Sequence, residues 1–514
     1  MNFSTSLRLV SQKLPCHCFQ SLTSVRTSVS LAEDPRRANV EQRVKKFHEI
    51  PGPNSLPWIG TSYLYLFGVY SAKRHRAAFQ KYLKYGPIVR EEIKPGNFVV
   101  SIFHHNDMEH LFLSENNVPQ AQSHLPIIEL QKNHPNALLP VNGEDWLKLR
   151  KEFQDFSSPQ LQSAYLPVAD KAIKDFVTFR TSQNIDDFLP ELLRLSLQLT
   201  LLAAFDKKID CFSSKEMKPD SLSSHVMEAV LTSNRLLCLF DKLPSNPKDV
   251  PSLWKKFEKA MLLIEKVSVE LVQEKAKSLY QRNMKKSESA VPSLIEFLLT
   301  SSNLNYKDAV RISVNLLLAG VENTAYTASF ALYHLAKNER VQNMLRLESQ
   351  RILMSPTDPI TDKTLEDASY ARAVLKEVFR MNPLLPGYGR TATQDIVLSG
   401  YHIPKGTTIV TENQTACRLQ KHFVRPNDFI PERWIKGSPV QVKDNPFLVL
   451  PFGFGSRSCV ARHLAEQQLL LLLLRVVSSC VVSWTSEEIL DCKNLNSTIN
   501  QPDKDLKFTF NRIF

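Results

Sequence analysis

Along most of this chain, apolar and polar residues recur with the period of a helix. From Asn305 to Lys337 the run contains no proline and a single glycine, Gly320. Such a run is longer than an ordinary globular helix, and a glycine in its middle costs about 1 kcal/mol against alanine. Gly320 therefore predicts a kink, or something packed close to the backbone. A second helix is predicted from about Glu366 to Arg380, stopped by Asn382-Pro383. The stretch Leu469–Leu474 follows Glu466, Gln467 and Gln468 and reads as a buried core helix. Strand patterns are few. Residues 87–93 and 98–103 flank Lys94-Pro95-Gly96-Asn97 and predict a hairpin. A second small β region covers Ile396–Ile403 and Thr407–Thr411, with Pro404-Lys405-Gly406 as its turn. Pro51-Gly52-Pro53, Pro57 and Gly60 mark the entry into the folded body, and 281–290 reads as a polar connector. The pattern predicts a mainly α fold: one large helical domain with a small β-rich lobe.

The chain has 514 residues, 43% of them apolar, enough for a sizeable core. No apolar run approaches the roughly 20 residues that span a bilayer. A net charge of +12 suits nucleic acid, anionic lipid or an acidic protein. Nucleic acid is the weakest of these, because zinc-knuckle spacing, basic heptad helices and aromatic-basic RNA signatures are absent from the sequence. The eight cysteines are scattered without a framework spacing, which argues for a reducing compartment. Residues 1–32 contain no acid, the first being Glu33; they carry Arg8, Lys13 and Arg26 and are rich in Ser and Thr. That is the composition of a mitochondrial transit peptide. Residues 1–45 are expected to be leader, and residues 46–514 a single catalytic domain.

Near the C-terminus a glycine-rich loop, Pro451-Phe-Gly-Phe-Gly-Ser-Arg-Ser-Cys459, leads into a long apolar helix. Backbone N–H groups at a helix start stabilise a thiolate, and glycines allow close approach of a flat ligand. Arg457 can meet an anionic group at that ligand's edge. A lone cysteine is more often a buried structural thiol. A nucleophilic role for Cys459 lacks an adjacent base.

The spacing Phe452-x-x-Gly455-x-Arg457-x-Cys459 resembles the haem-binding signature of the cytochrome P-450 family. Ala461 replaces the family's usual glycine, and His463 stands where mitochondrial members often have arginine. Other landmarks follow in order. Glu377-Val-Phe-Arg380 matches the Glu-x-x-Arg motif and Arg433 the third member of a buried structural cluster. Trp146-x-x-x-Arg150 resembles the helix that meets the haem propionates, with Arg390 and Arg457 as further propionate partners. Ala319-Gly320-Val321-Glu322 corresponds to the groove where dioxygen sits, and Glu322 to a proton-supplying acid. The usual threonine is replaced by Asn323, with Thr324 following. An amide can hydrogen-bond but has no hydroxyl to relay a proton. Arg372 and Lys376 match the basic pair through which mitochondrial members dock an acidic 2Fe–2S ferredoxin.

The resemblance implies non-covalent haem b (iron protoporphyrin IX) with Cys459 as the axial ligand of iron. It implies monooxygenation driven by O2 and by electrons from ferredoxin and its NADPH-dependent reductase. The expected location is the matrix side of the mitochondrial inner membrane, in peripheral contact and without a transmembrane span. Leu318–Tyr326 and Asn445–Pro451 look most like arthropod members that hydroxylate ecdysteroid precursors, specifically at C-22. A small lipophilic sterol-like substrate follows. The rivals are a xenobiotic-oxidising mitochondrial monooxygenase and a haem-binding protein without turnover. Residues 105–135, 225–255 and the stretch after Pro383 are the expected substrate-facing segments.

Overall fold

Helices dominate, as the apolar periodicity requires. In a computed structural model they are α1 (Tyr63–Leu66), α2 (Arg74–Tyr85), α3 (His105–Leu113), α4 (Leu125–Asn133), α5 (Gly143–Gln154), α6 (Pro159–Arg180), α7 (Leu189–Phe205) and α8 (Leu222–Lys242). There follow α9 (Pro251–Met284), α10 (Leu294–Thr300), α11 (Tyr306–Lys337), α12 (Glu339–Ile352), α13 (Asp362–Asp367), α14 (Ser369–Met381), α15 (Asn413–Ala416) and α16 (Arg462–Ser479). The structure describes residues 43–513 except 116–118, 120–124, 135–141, 155–157, 184, 243–245, 285–292, 302, 443–444 and 495–498. The expected leader therefore falls almost wholly outside the described residues, as does most of the polar connector. Val44–Phe514 forms one unit.

Asn305 starts α11 with a capping box. Its side chain accepts from Asp308 N at 3.0 Å, and the Asp308 carboxylate accepts from Asn305 N at 3.2 Å. Val310, Val314, Leu317, Val321, Ala325 and Ala328 then bury one face of the helix. Against it packs α7, and Gly320 is the contact that permits this: a Cβ there would stand 2.4 Å from Thr200 Oγ1. Leu469–Leu474 of α16 are all buried, and each such side chain stabilises the fold by roughly 1.5–3 kcal/mol. A bidentate pair, Arg475 Nε and Nη2 to Asp170 at 2.7 and 2.5 Å, ties α16 to α6 inside this core.

The predicted helix at 366–380 begins later than its periodicity suggests. Ala368 separates α13 from α14. The cause is tertiary: Glu348 of α12 accepts from the backbone N–H groups of Tyr370 and Ala371 at 2.7 and 2.8 Å, capping a new helix start. Its end at Met381, before Asn382-Pro383, is as predicted.

The β lobe holds β1 (Ile88–Lys94), β2 (Asn97–Ile102), β3 (Gly389–Thr391), β4 (Ile396–Leu398), β5 (Tyr401–Ile403) and β6 (Thr408–Thr411). Short pairs are made by β7 (Cys480–Trp484), β8 (Cys492–Lys493), β9 (Gln501–Pro502) and β10 (Phe508–Arg512). The hairpin β1–β2 forms as predicted, with Gly96 at φ 77°. The second β region differs. Its hairpin closes at Ser399-Gly400, where both residues take left-handed conformations that suit a two-residue turn. Residues 404–406 instead lead to β6, which pairs parallel with β2 and antiparallel with β3. Among the described residues, no helix is long and apolar enough to cross a membrane.

Candidate active site

The loop before α16 is shaped by two glycines in the left-handed region, Gly453 at φ 73° and Gly455 at φ 68°. That conformation costs other residues roughly 1 kcal/mol or more, which explains the glycines without appeal to space. Gly455–Arg457 make one 3-10 turn, and Cys459 N–H donates to Phe452 O at 2.8 Å, closing the loop. Phe452 is held edge-on to Phe379 of α14 at 5.2 Å between ring centres. The result presents Cys459 at the wall of a cavity of about 260 Å³. Burial pushes its thiol pKa up, while the backbone N–H of Ala461 and the nearby Arg150 pull it down.

Across this cavity stand Ala319, Gly320, Asn323 and Thr324 of α11, with Thr200, Ala203 and Ala204 of α7 beside them. Small residues on both helices leave room for a flat group against Cys459. Helical spacing explains which members of the motif arrive here, because positions i, i+1, i+4 and i+5 share a face. Val321 is buried in the core, and Glu322 turns to a second cavity, of about 330 Å³, between α8, α9 and α11. There the Glu322 carboxylate is held at both oxygens. Tyr326 OH donates to Oε1 at 2.6 Å and Asn234 Nδ2 donates to Oε2. Burial raises its pKa, and these two donors only partly offset that. Asn323 and Ala319 line both cavities.

Three arginines gather along one edge. Arg457 donates to Pro119 O at 3.0 and 2.8 Å and to Asn142 Oδ1 at 2.8 Å, and lies 3.5 Å over the Trp146 ring. Arg390 Nε pairs with Glu115 at 2.5 Å. Arg150 Nη2 reaches Ser458 Oγ at 3.4 Å, while its buried Nε has no hydrogen-bond partner among the described residues. Burial, and then the charge of Arg390, push the Arg457 pKa down to about 10. Glu115 acts on Arg390 and Arg457, and the orphaned Nε of Arg150 points to a missing acceptor. A flat cofactor carrying two carboxylates fits this donor set, and Cys459 fits as its metal ligand.

The structural cluster assembles in full. Glu377 accepts from Arg380 Nη2 and Nε at 2.8 and 2.9 Å, from Arg433 Nε at 3.2 Å and from Ile430 N at 2.9 Å. Trp434 Nε1 joins them at 2.9 Å. Glu377 and Arg380 are wholly buried and Arg433 nearly so. Arg372 and Lys376 stand one turn apart on α14. Lys376 is exposed, whereas the Arg372 guanidinium donates to the carbonyls of Leu365 and, at 2.8 Å, Glu366, closing the end of α13.

The sequence did not single out Glu115, Asn142, Thr200, Asn234 or Tyr326. Only Tyr326 carried a local signal, four residues after Glu322 and so on the same helix face. The others come from distant segments and are recruited by packing.

A family model described as Cytochrome P-450 matches residues 50–510. The chain is 38% identical over 475 residues to cytochrome P-450 302a1, mitochondrial, of Drosophila melanogaster, covering 89% of this chain and 94% of that protein. It is 27% identical over 500 residues to probable cytochrome P-450 12d1 distal, mitochondrial, of the same fly, covering 90% and 92%. A solved structure, retinoic acid bound cyanobacterial CYP120A1, shares the fold with a TM-score of 0.71 over 90% of this chain and 99% of that chain, at 22% identity. The chain belongs to the cytochrome P-450 family of haem-thiolate monooxygenases, whose cofactor is haem b.

Proposed function

We propose that this monooxygenase is mitochondrial and hydroxylates a sterol of the ecdysteroid-precursor class, at C-22, with electrons from a 2Fe–2S ferredoxin. The observation that carries the catalytic reading is that Cys459 and the small-residue face of α11 line one cavity, with three arginines along its edge. The leader composition supports a mitochondrial location, as do relatives whose names place them there. A basic Lys376 exposed on α14 supports an acidic electron donor.

When bound, haem b supplies the oxidative chemistry: O2, two electrons and two protons enter, one oxygen atom joins a C–H bond and the other leaves as water. Cys459 would hold the iron. Arg150, Arg390 and Arg457, the last braced by Trp146, would hold the two propionates, and Phe452 and Gly455 fix the loop that aims the thiolate. Glu322 keeps its proton to higher pH than an exposed carboxyl and so acts as the local proton store. Thr324 has the hydroxyl that can pass a proton on, whereas the Asn323 amide orients a partner by hydrogen bonding.

The test is reconstitution of the protein with ferredoxin, its reductase, NADPH and a panel of sterols and xenobiotics. C-22 hydroxylation of a sterol that requires ferredoxin is expected. Oxidation of xenobiotics alone would move the reading to the rival substrate class, and haem reduction without any product would remove turnover altogether.

A further inference from the structure

A third cavity, of about 1260 Å³, shares no lining residue with the two described above. It lies where the start of α2, the last turn of α11, the segment after α15 and the residues flanking β8 and β9 meet. Seven Lys and Arg side chains line it against three carboxylates. Each carboxylate already has a cation. Asp491 and Asp503 take Lys73 at 2.8 and 2.7 Å, Asp491 also takes Arg76 at 2.6 Å, and Asp428 takes Arg425 at 3.4 Å. Arg340 and Lys504 pair with Glu432 and Glu488, which lie outside the lining. Lys337 and Arg418 are left with no carboxylate among the described residues. Arg418 Nη2 donates to Met381 O at 2.7 Å and Nη1 reaches Asn427 Oδ1 at 3.5 Å. A guanidinium has five N–H donors, so part of the fork stays unused. Burial, and then the charge of Arg380, push the Arg418 pKa down, a cost that a bound anion would relieve. Three residues earlier on the same wall, Thr415 is buried and its hydroxyl has no hydrogen-bond partner among the described residues. Unmet buried donors are rare unless something supplies the missing bond.

We propose that this cavity is a second ligand site, which binds a phosphate group carrying at least two negative charges through Arg418, Lys337 and the Thr415 hydroxyl. Two uncompensated cations on one wall call for two negative charges. The planar fork of Arg418 suits the oxygens of a phosphate, and Lys337 adds a point charge. The site stands apart from Cys459 and takes no part in the oxidation. A ligand here would touch α2, α11 and the turn after α15 at once, and binding to the folded chain alone stabilises it. Two sources carry this chemistry, a soluble polyphosphate and a phospholipid headgroup, and binding measurements separate them.

The haem-loaded protein, Arg418→Gln and Lys337→Gln are titrated with pyrophosphate by calorimetry. The same proteins are sedimented with phosphatidylcholine vesicles with and without phosphatidic acid. One phosphate ligand per chain is expected. Arg418→Gln should weaken it by about tenfold, the scale of one lost charge-assisted contact, and the more exposed Lys337→Gln by about threefold. Lys171→Gln serves as the control, because Lys171 is exposed on α6, outside the cavity, and paired with Asp175 at 2.9 Å; it should bind as the parent does. Arg418→Gln also gives up the bond to Met381 O, so its melting curve is recorded beside its affinity. Lys337 makes no such bond, and its variant decides the matter if Arg418→Gln does not fold. Pyrophosphate binding weakened by the variants assigns a soluble ligand. Binding only to vesicles with phosphatidic acid, weakened in the same variants, assigns a headgroup. No saturable binding of either probe, or Lys337→Gln binding no more weakly than Lys171→Gln, would overturn the proposal.

Discussion

Gly320 and Thr200 meet so closely that a single methyl group at position 320 would collide with the threonine side chain at three atoms, all within 3.2 Å. Thr200 cannot simply swing aside, because its hydroxyl donates to Ser196 O at 2.8 Å. Gly320→Ala gains about 1 kcal/mol of helix propensity but overpacks the α7–α11 contact, typically by about 1–3 kcal/mol. The variant should therefore be no more stable than the parent and as much as about 2 kcal/mol less so. Combining it with Thr200→Ala should recover most of the loss in a denaturant-based double-mutant cycle.

The arginine edge predicts opposite effects on the protein with and without its cofactor. Arg150→Met removes one of three crowded cations and an unpartnered donor, so the haem-free protein should melt at the same or a higher temperature. Haem affinity should fall by about tenfold, the scale of one lost charge-assisted contact. Haem content per chain and the melting curve of the haem-free form are the two readouts. A variant that loses stability but keeps its haem would contradict the assignment.

Glu377 joins two buried guanidinium groups, and removing one partner of a buried pair leaves an uncompensated charge. Glu377→Gln should cost about 3–5 kcal/mol in urea unfolding. Ile430 N donates to one carboxylate oxygen and Trp434 Nε1 to the other, so the single amide oxygen of the variant can keep only one of these bonds and its NH2 group faces the other donor.

This cluster also marks how far the sequence could be read. Glu377-x-x-Arg380 is one turn of helix, and its internal contact was legible from spacing alone. That it is buried rather than solvated depends on the carbonyls of Cys417, Pro426 and Asp428, which accept from Arg380 at 2.9, 2.7 and 3.0 Å and lie 37 or more residues away. The Cys459 loop was legible because its glycines and arginine act locally. Which face Glu322 occupies was not. The motif places it beside the Cys459 cavity, but the 100° step per residue turns it out of that cavity into the second one, and Asn234, 88 residues distant, fixes it there. The hairpin closing at Ser399-Gly400 rather than at 404–406 has the same origin, since β2 offered β6 a partner that local pattern cannot reveal.

Glu322 should also leave a pH signature. Burial raises its folded-state pKa above the unfolded value, so the folded chain binds the proton more tightly than the unfolded one. Its contribution to stability is then full below the ordinary carboxylate range and is lost as pH rises through the folded pKa. Glu322→Gln has no proton to lose. Relative to the parent, the variant should gain stability as pH rises through that window, and the difference should flatten above it. Thermal melts at a series of pH values measure this, and coupling of NADPH use to product should fall in the same variant.

Docking of the electron donor is better tested at Lys376 than at Arg372. Arg372 also closes the end of α13, so its reversal would mix a lost helix cap with a lost charge. Lys376→Glu should slow ferredoxin-driven turnover several-fold at low salt, leave haem content unchanged, and matter less as salt rises. A turnover rate insensitive to both the charge and the salt would place the docking face elsewhere.

The central claim is that this chain places one atom of dioxygen on a sterol side chain. The most direct measurement is turnover of a sterol of the ecdysteroid-precursor class under isotopically labelled O2, with ferredoxin, reductase and NADPH, followed by mass and position analysis of the product. The expected result is one labelled oxygen at C-22, dependent on ferredoxin. NADPH consumption with no labelled product, or a label on the ring system, would contradict it.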